Sequence, residues 1–99
     1  MAYFQNDDDM ISLLYVEDDP VTRCLLKQVI TRKFPDMKIH SAEDGKLGLE
    51  LFNKICPDIV LTDINLPVLN GIQMVYEIRR LSPKTEIIIL SCQEKVYYE

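Results

Sequence analysis

Three consecutive carboxylates, Glu17, Asp18 and Asp19, follow directly after an apolar run in the stretch LLYVEDDPVTR. Adjacent carboxylates repel one another, and each is destabilised unless water, a hydrogen-bond donor or a cation lies nearby. We interpret Asp19 as a helix N-cap, because Pro20 after it suits a first helical turn. The other two acids therefore need either open water or a cation.

A further carboxylate, Asp63, ends the apolar run DIVLTD. In an open parallel sheet, ligands bind beyond the carboxyl ends of the strands. If the strands before Glu17 and Asp63 are neighbours, Asp18 joins them in a cluster of three carboxylates at this edge. Such a cluster is typical of a site for a hard divalent cation, which binds carboxylate, water and phosphate oxygens. Ser91 ends the run EIIIL, and its hydroxyl is predicted to face the same crevice.

Three helices must position these residues. Apolar residues that recur at spacings of three and four predict helices over residues 20–34, 46–56 and 71–81. A proline at or just after the end of each helix supports these boundaries, because the residue before a proline disfavours helical geometry. Pro67 lies in the loop INLPVLNG, and Gly71 permits a sharp entry into the third helix. Cys24 and Cys56 fall on apolar stripes and are predicted to be small core residues.

Four short runs alternate with the helices and are predicted to be strands: ISLLYV, KIHSA, DIVLT and EIIIL. Three of them are nearly continuously apolar, as expected for strands covered on both faces, whereas KIHSA suits an edge and places His40 at the surface. Strict alternation predicts βαβ units with right-handed crossovers, and hence an α/β fold with a doubly wound parallel sheet. We expect a flexible tail over residues 1–10 and one domain over residues 11–99.

The composition argues against a membrane protein, a secreted protein and a protein attracted to nucleic acid by its charge. A chain of 99 residues with 47% hydrophobic residues can form one core, and its net charge of −5 does not predict nonspecific attraction to nucleic acid or to an anionic membrane. No apolar run approaches the ~20 residues of a membrane span, and the start MAYFQNDDDM lacks the layout of a signal peptide. Three widely spaced cysteines argue against a disulfide framework and against a zinc site. We therefore expect a cytoplasmic protein.

The stretches VEDDPVTR and DIVLTDINLPVLNG, together with a fourth strand that ends in Ser91, resemble the receiver domain of bacterial two-component response regulators, the CheY-like family. The resemblance covers residues 11–98. It implies a flavodoxin-like sheet with strand order 2-1-3-4 in this chain. It also implies that Asp63 is the phosphoacceptor, which takes a phosphoryl group from a sensor histidine kinase or a phosphotransfer protein.

The resemblance further implies the roles of the other site residues. Asp18 and Asp63 would bind Mg²⁺, or another divalent cation such as Mn²⁺, while Glu17 would act through a water molecule and Asn65 through its backbone carbonyl. Ser91 would hydrogen-bond a phosphoryl oxygen and act as a switch. The domain would then be a signalling module that catalyses at most its own phosphotransfer and dephosphorylation, and this segment would not bind nucleic acid directly.

The sequence also departs from the family pattern. A complete receiver continues with a fifth strand, which brings a phosphate-binding lysine, and with a fifth helix, whereas this chain stops at QEKVYYE. Lys95 lies too early to be that lysine, so no phosphate-binding lysine is assigned. An incomplete sheet edge predicts self-association through the fourth strand. A simpler explanation is that the chain is a fragment of a longer regulator.

Two alternatives to a phosphoacceptor domain remain open. The missing lysine is compatible with a phosphorylation-independent pseudo-receiver or dimerisation module that uses the fold as a binding surface. A Mg²⁺-dependent phosphatase with Asp63 as nucleophile is less favoured, because Asn65 stands where a second acid would protonate a leaving group.

Overall fold

The computed structural model describes residues 10–90, so the predictions for Ser91 and Lys95, and those for the tail except at Met10, lie outside the described residues. Within this range, four strands alternate with three helices in the predicted order. The elements are β1 Ser12–Val16, α1 Pro20–Lys33, β2 Lys38–Ala42, α2 Gly45–Ile55, β3 Ile59–Asp63, α3 Gly71–Leu81 and β4 Glu86–Leu90. None of these helices is long and apolar enough to cross a membrane.

The strands form one parallel sheet in the order β2-β1-β3-β4, which confirms the predicted strand order and the edge position of β2. At the carboxyl end of β1, Val16 pairs with Ala42 of β2 on one side and with Thr62 of β3 on the other. This register brings the residues that follow β1 next to the end of β3. The acidic stretch after Val16 and the carboxylate of Asp63 therefore share one edge of the sheet.

Hydrophobic residues cover both faces of the sheet. On one face, Leu14, Val16 and Val60 pack with Phe52 of α2 and with residues of α3, and all of these are buried. The opposite face is smaller, because α1 alone among the described helices covers it. Its buried residues are Leu13, Tyr15 and Leu61.

Side-chain caps set the starts of the helices, as expected for Asp19. The Asp19 carboxylate accepts hydrogen bonds from the backbone N–H of Thr22, at 2.8 Å, and from its hydroxyl, at 2.6 Å. Asp44 caps α2 through the N–H of Leu47 in the same way. Each cap satisfies a backbone donor that the first turn of a helix leaves unpaired.

The prediction that Cys24 and Cys56 lie in the core is wrong, because both thiols are exposed. The reason for Cys24 is that α1 rests on one sheet face and contains no buried residue. Leu26 and Ile30 pack on the sheet, while other apolar residues of the helix point to solvent. Cys56 ends α2 as its C-cap, in a left-handed conformation with φ 46°, which turns it away from the apolar face of that helix.

Candidate metal and phosphoacceptor site

Three carboxylates meet at the carboxyl ends of β1 and β3. Glu17, Asp18 and Asp63 each offer one carboxylate oxygen, and these oxygens all lie within 4.8 Å of one another. Glu17 is 5% exposed and Asp63 is 8% exposed, whereas Asp18 is exposed to solvent. The cluster is therefore half-buried at its base and open on the side of Asp18.

The Asp63 carboxylate is oriented by the backbone that follows it. Its Oδ1 atom accepts a hydrogen bond from the N–H of Ile64 at 2.7 Å and a longer one from the N–H of Asn65 at 3.5 Å. No hydrogen bond to Oδ2 is formed by any residue in the range 10–90. One oxygen is thus anchored, and the other is available to a reacting group.

Glu17 is held where β1 ends, by bonds to β2 and to the start of α1. Its N–H donates to the carbonyl of Ala42 at 3.1 Å, and its Oε2 accepts a hydrogen bond from the N–H of Asp19 at 3.1 Å. Burial raises the pKa of the Glu17 carboxyl above its ordinary value of 4.5, and the nearby Asp18 and Asp63 carboxylates raise it further, while the hydrogen bond from Asp19 opposes the rise. Burial is the main cause of the raised pKa, and a bound cation would relieve the smaller contribution from the two neighbouring carboxylates.

The donor set fits a hard divalent cation. All three clustered groups offer carboxylate oxygen, which is the ligand type that Mg²⁺ and Mn²⁺ prefer, and no sulfur or imidazole ligand belongs to the cluster. The exposure of Asp18 leaves space for the water molecules that Mg²⁺ retains.

The loop between β3 and α3 fixes the base of the site. Gly71 is buried where α3 begins, and a Cβ atom added there would overlap the carbonyl oxygen of Asp63. The Gly71 N–H donates to the carbonyl of Ile64 at 2.8 Å. Gly71 is therefore required by the close approach of two backbone segments rather than by an unusual φ.

The middle of the same loop is a tight turn. The carbonyl of Pro67 accepts a hydrogen bond from the N–H of Leu69 at 2.8 Å, and Val68 between them has φ 70°. A β-branched residue in this region of φ is uncommon and strained. Asn65 precedes the turn and is exposed. Pro67 and Gly71 thus shape the loop without joining the carboxylate cluster.

Sequence reasoning missed Arg23. Its Nη1 atom donates to the carbonyl oxygen of Glu17 at 2.8 Å and lies 3.5 Å from the carbonyl oxygen of Asp18. The available signal was a single basic residue at the end of the first turn of a helix that begins directly after the acidic stretch. That spacing alone does not show whether such a side chain points to the site or to solvent.

Comparison with known proteins decides the family. The family model described as the response regulator receiver domain matches residues 13–98, which is most of the chain. The chain belongs to this family. Its predicted resemblance to receiver domains is therefore confirmed, and the four-stranded order 2-1-3-4 agrees with the flavodoxin-like fold of the solved relatives.

Several relatives resemble this receiver domain over most of its length. It is 39% identical over 82 residues to a protein-glutamate methylesterase/protein-glutamine glutaminase of Desulfitobacterium hafniense, with 82% of this chain and 20% of that protein covered. It is 34% identical over 79 residues to the chemotaxis protein CheY of Thermotoga maritima, with 80% of this chain and 65% of that protein covered. The receiver chain thus spans about a fifth of the first relative and just under two thirds of the second.

A solved structure supports the same assignment. The response regulator domain of Thermotoga maritima CheB superposes with a TM-score of 0.76 at 34% sequence identity, with 87% of this chain and 63% of that chain covered. In a receiver domain, the cluster of Glu17, Asp18 and Asp63 fits the divalent cation site of the family.

Proposed function

We propose that this receiver domain is a phosphoacceptor, and that Asp63 takes a phosphoryl group from the phosphohistidine of a sensor histidine kinase or of a phosphotransfer protein. The observation that carries the proposal is the buried Asp63 carboxylate, which has one anchored oxygen and two further carboxylates beside it. The domain then acts as a signalling module in the cytoplasm, and its own chemistry is limited to phosphotransfer and dephosphorylation. We assign this role to residues 11–99.

The transfer step places specific demands on Asp63. An ionised carboxylate oxygen attacks phosphorus, a P–O bond forms, and the P–N bond to the donor imidazole breaks with its electron pair on nitrogen. The hydrogen bonds from Ile64 and Asn65 to Oδ1 hold the carboxylate in one orientation. Such fixed orientation reduces the entropy that the transition state must lose.

The neighbouring acids have a different role. Asp18 and Asp63 would hold the divalent cation directly, Glu17 would hold it through a water molecule, and Asn65 would add its backbone carbonyl. Mg²⁺, or Mn²⁺ in its place, would supply positive charge there that offsets the charge of the carboxylates and of the phosphoryl oxygens. Ser91 is the proposed hydrogen-bond donor to a phosphoryl oxygen and the proposed switch residue, since an added charge of nearly −2 can bias a two-state element.

Intact mass spectrometry after incubation with a small phosphodonor tests this function. We expect the parent chain to gain one phosphoryl group with Mg²⁺ and none with a chelator. Asp63→Asn should gain none under either condition, whereas Asp36→Asn, which changes an exposed acid outside the cluster, should behave as the parent does. A folded parent without an adduct, or an adduct on Asp63→Asn, would contradict the proposal.

A second candidate function rests on a separate observation. β4 forms one edge of the described sheet, and Ile88 and Ile89, which point to opposite faces of this strand, are 49% and 43% exposed. An apolar edge strand can pair with a second chain. We therefore also propose that the chain self-associates through β4, which would suit a phosphorylation-independent dimerisation module.

A further inference from the structure

We propose that Arg23 is a positioning residue for the cation site, because it holds the backbone of the acidic turn at residues 17–19 in the conformation that groups the carboxylates. This inference rests on the proposed function of the carboxylate cluster. It concerns a side chain that touches neither the carboxylates nor the reacting phosphoryl group, and it assigns that side chain an effect on cation affinity.

Both ends of Arg23 are attached to the acidic turn. Its backbone N–H donates to the carbonyl of Asp19 at 2.9 Å, and its Nη1 donates back to the carbonyl of Glu17 at 2.8 Å, with the carbonyl of Asp18 at 3.5 Å. The side chain is half-buried. Arg23 therefore contacts all three consecutive acidic residues through their carbonyl oxygens.

Arg23 bonds to backbone carbonyl oxygens rather than to carboxylates, and this matters for cation binding. Arg23 forms no ion pair with a carboxylate in the part of the chain that the structure describes. The carboxylates of Glu17 and Asp18 are thus left to the cation, although a guanidinium is attached to the same turn. A direct ion pair would instead compete with the metal for the same oxygens.

The carbonyl contacts restrict a turn that has few other restraints. Glu17 is tied to β2 through its N–H, and Asp19 is tied to α1 through its capping carboxylate. Asp18 lies between them and is exposed, and the carbonyl of Asp18 contacts the Arg23 side chain at 3.5 Å. Loss of the Arg23 side chain would therefore free the residue that we propose as a direct cation ligand.

The direction in which cation affinity changes when the Arg23 side chain is removed distinguishes this proposal from a purely electrostatic effect of Arg23. Removal of a positive charge near three carboxylates strengthens cation binding if Coulomb interaction is the whole effect. Loss of the backbone restraint weakens cation binding, because the ligands are no longer preorganised. Partners that orient metal ligands typically change affinity by about 10- to 100-fold when they are removed.

Titration calorimetry with Mn²⁺ on the parent chain, Arg23→Met and Arg32→Met provides the test. Arg23→Met keeps the apolar stem, and Arg32→Met removes the same charge from the exposed far end of the same helix. We expect Arg23→Met to raise the Kd for Mn²⁺ about tenfold, with Arg32→Met close to the parent. An unchanged or lower Kd for Arg23→Met would overturn the inference.

A measurement made without metal tests the role of Arg23 separately from the proposed cation site. Hydrogen exchange of the Asp19 amide, which donates to Glu17 Oε2, should be faster in Arg23→Met than in Arg32→Met when both are held in chelator. Equal exchange rates would overturn the inference about Arg23. A parent chain that binds no Mn²⁺ would contradict the proposed cation site, while the exchange rates would still decide the role of Arg23. Urea unfolding in chelator identifies any variant that is not folded.

Discussion

At the scale of single residues, Gly71 is the position where the site tolerates no side chain. We expect Gly71→Ala to lower the free energy of unfolding by about 1–3 kcal/mol, because the added methyl group would push the backbone of Asp63 and Ile64 apart. The displaced carboxylate should also accept phosphate more slowly. Urea unfolding and the rate of phosphorylation measure the two effects.

Gly48→Ala is the matched control for that change. At Gly48 the nearest atom to an added Cβ would be the Met74 sulfur at 2.8 Å, which is part of a flexible side chain. This variant should cost less stability and should leave the phosphorylation rate near that of the parent. Equal losses of rate in the two variants would show that crowding at Asp63 is not the cause.

His40 gives the protein a pH-dependent contribution to stability. Burial lowers the pKa of its imidazole below the ordinary value of 6.5, and the positive charges of Lys38 and Lys27 lower it further. The folded state therefore favours neutral His40. This contribution is fully present above pH 6.5 and is lost as the pH falls through the pKa of the folded state.

The variant His40→Gln should remove this dependence. We expect the free energy of unfolding of the parent to fall relative to that of His40→Gln as the pH is lowered from about 7.5 to about 5. Urea unfolding at several pH values gives the difference directly. A difference that stays constant over this range would show that His40 titrates alike in the folded and unfolded chains.

At the scale of elements, the start of α3 depends on a reciprocal cap. The Asn70 side chain accepts a hydrogen bond from the N–H of Gln73 at 2.9 Å, and the Gln73 side chain accepts one from the N–H of Asn70 at 3.4 Å. We expect Asn70→Ala to lower the free energy of unfolding by about 1 kcal/mol, whereas Asn70→Ser should retain most of the stability. Thermal unfolding compares the two, and equal losses would contradict a capping role.

The order and limits of the elements were predictable because each carries a local signal. Prolines and capping residues set the helix ends, and polar residues in KIHSA distinguished β2 as an edge strand. Because β1 and β3 were expected to be neighbours, Glu17 and Asp63 were expected to lie close together, and they do. These predictions depended on backbone geometry and on parallel-sheet topology, both of which are visible in a sequence pattern.

The placement of side chains on α1 was not predictable in the same way. Its apolar residues occupy more than one side of the helix, and only the packing on the sheet decides that Leu26 and Ile30 are covered while Cys24 is exposed. The contacts of Arg23 depend on the rotamer of a long side chain and on the exact path of the acidic turn. Such features are set by tertiary contacts rather than by local pattern.

At the scale of the whole molecule, α1 and β4 leave apolar surface exposed. Val21 and Leu25 of α1 are 64% and 57% exposed, and β4 adds a half-exposed strand edge. We expect the chain to self-associate through β4, and light scattering after size-exclusion chromatography should return a mass above that of one chain. Ile88→Lys should lower that mass, with Val21→Lys as the control away from the edge. A compact, cooperatively melting monomer for the parent would contradict this expectation.

If the proposed function is right, Asp63 itself carries the phosphoryl group. Borohydride reduces an acyl phosphate to an alcohol, so treatment of the phosphorylated chain should convert Asp63 to homoserine and leave Glu17 and Asp18 unchanged in peptide mass spectra. We expect homoserine at position 63 only, and only after incubation with phosphodonor and Mg²⁺. Homoserine or its homologue at another acidic position, or a stable adduct that borohydride does not reduce, would contradict it.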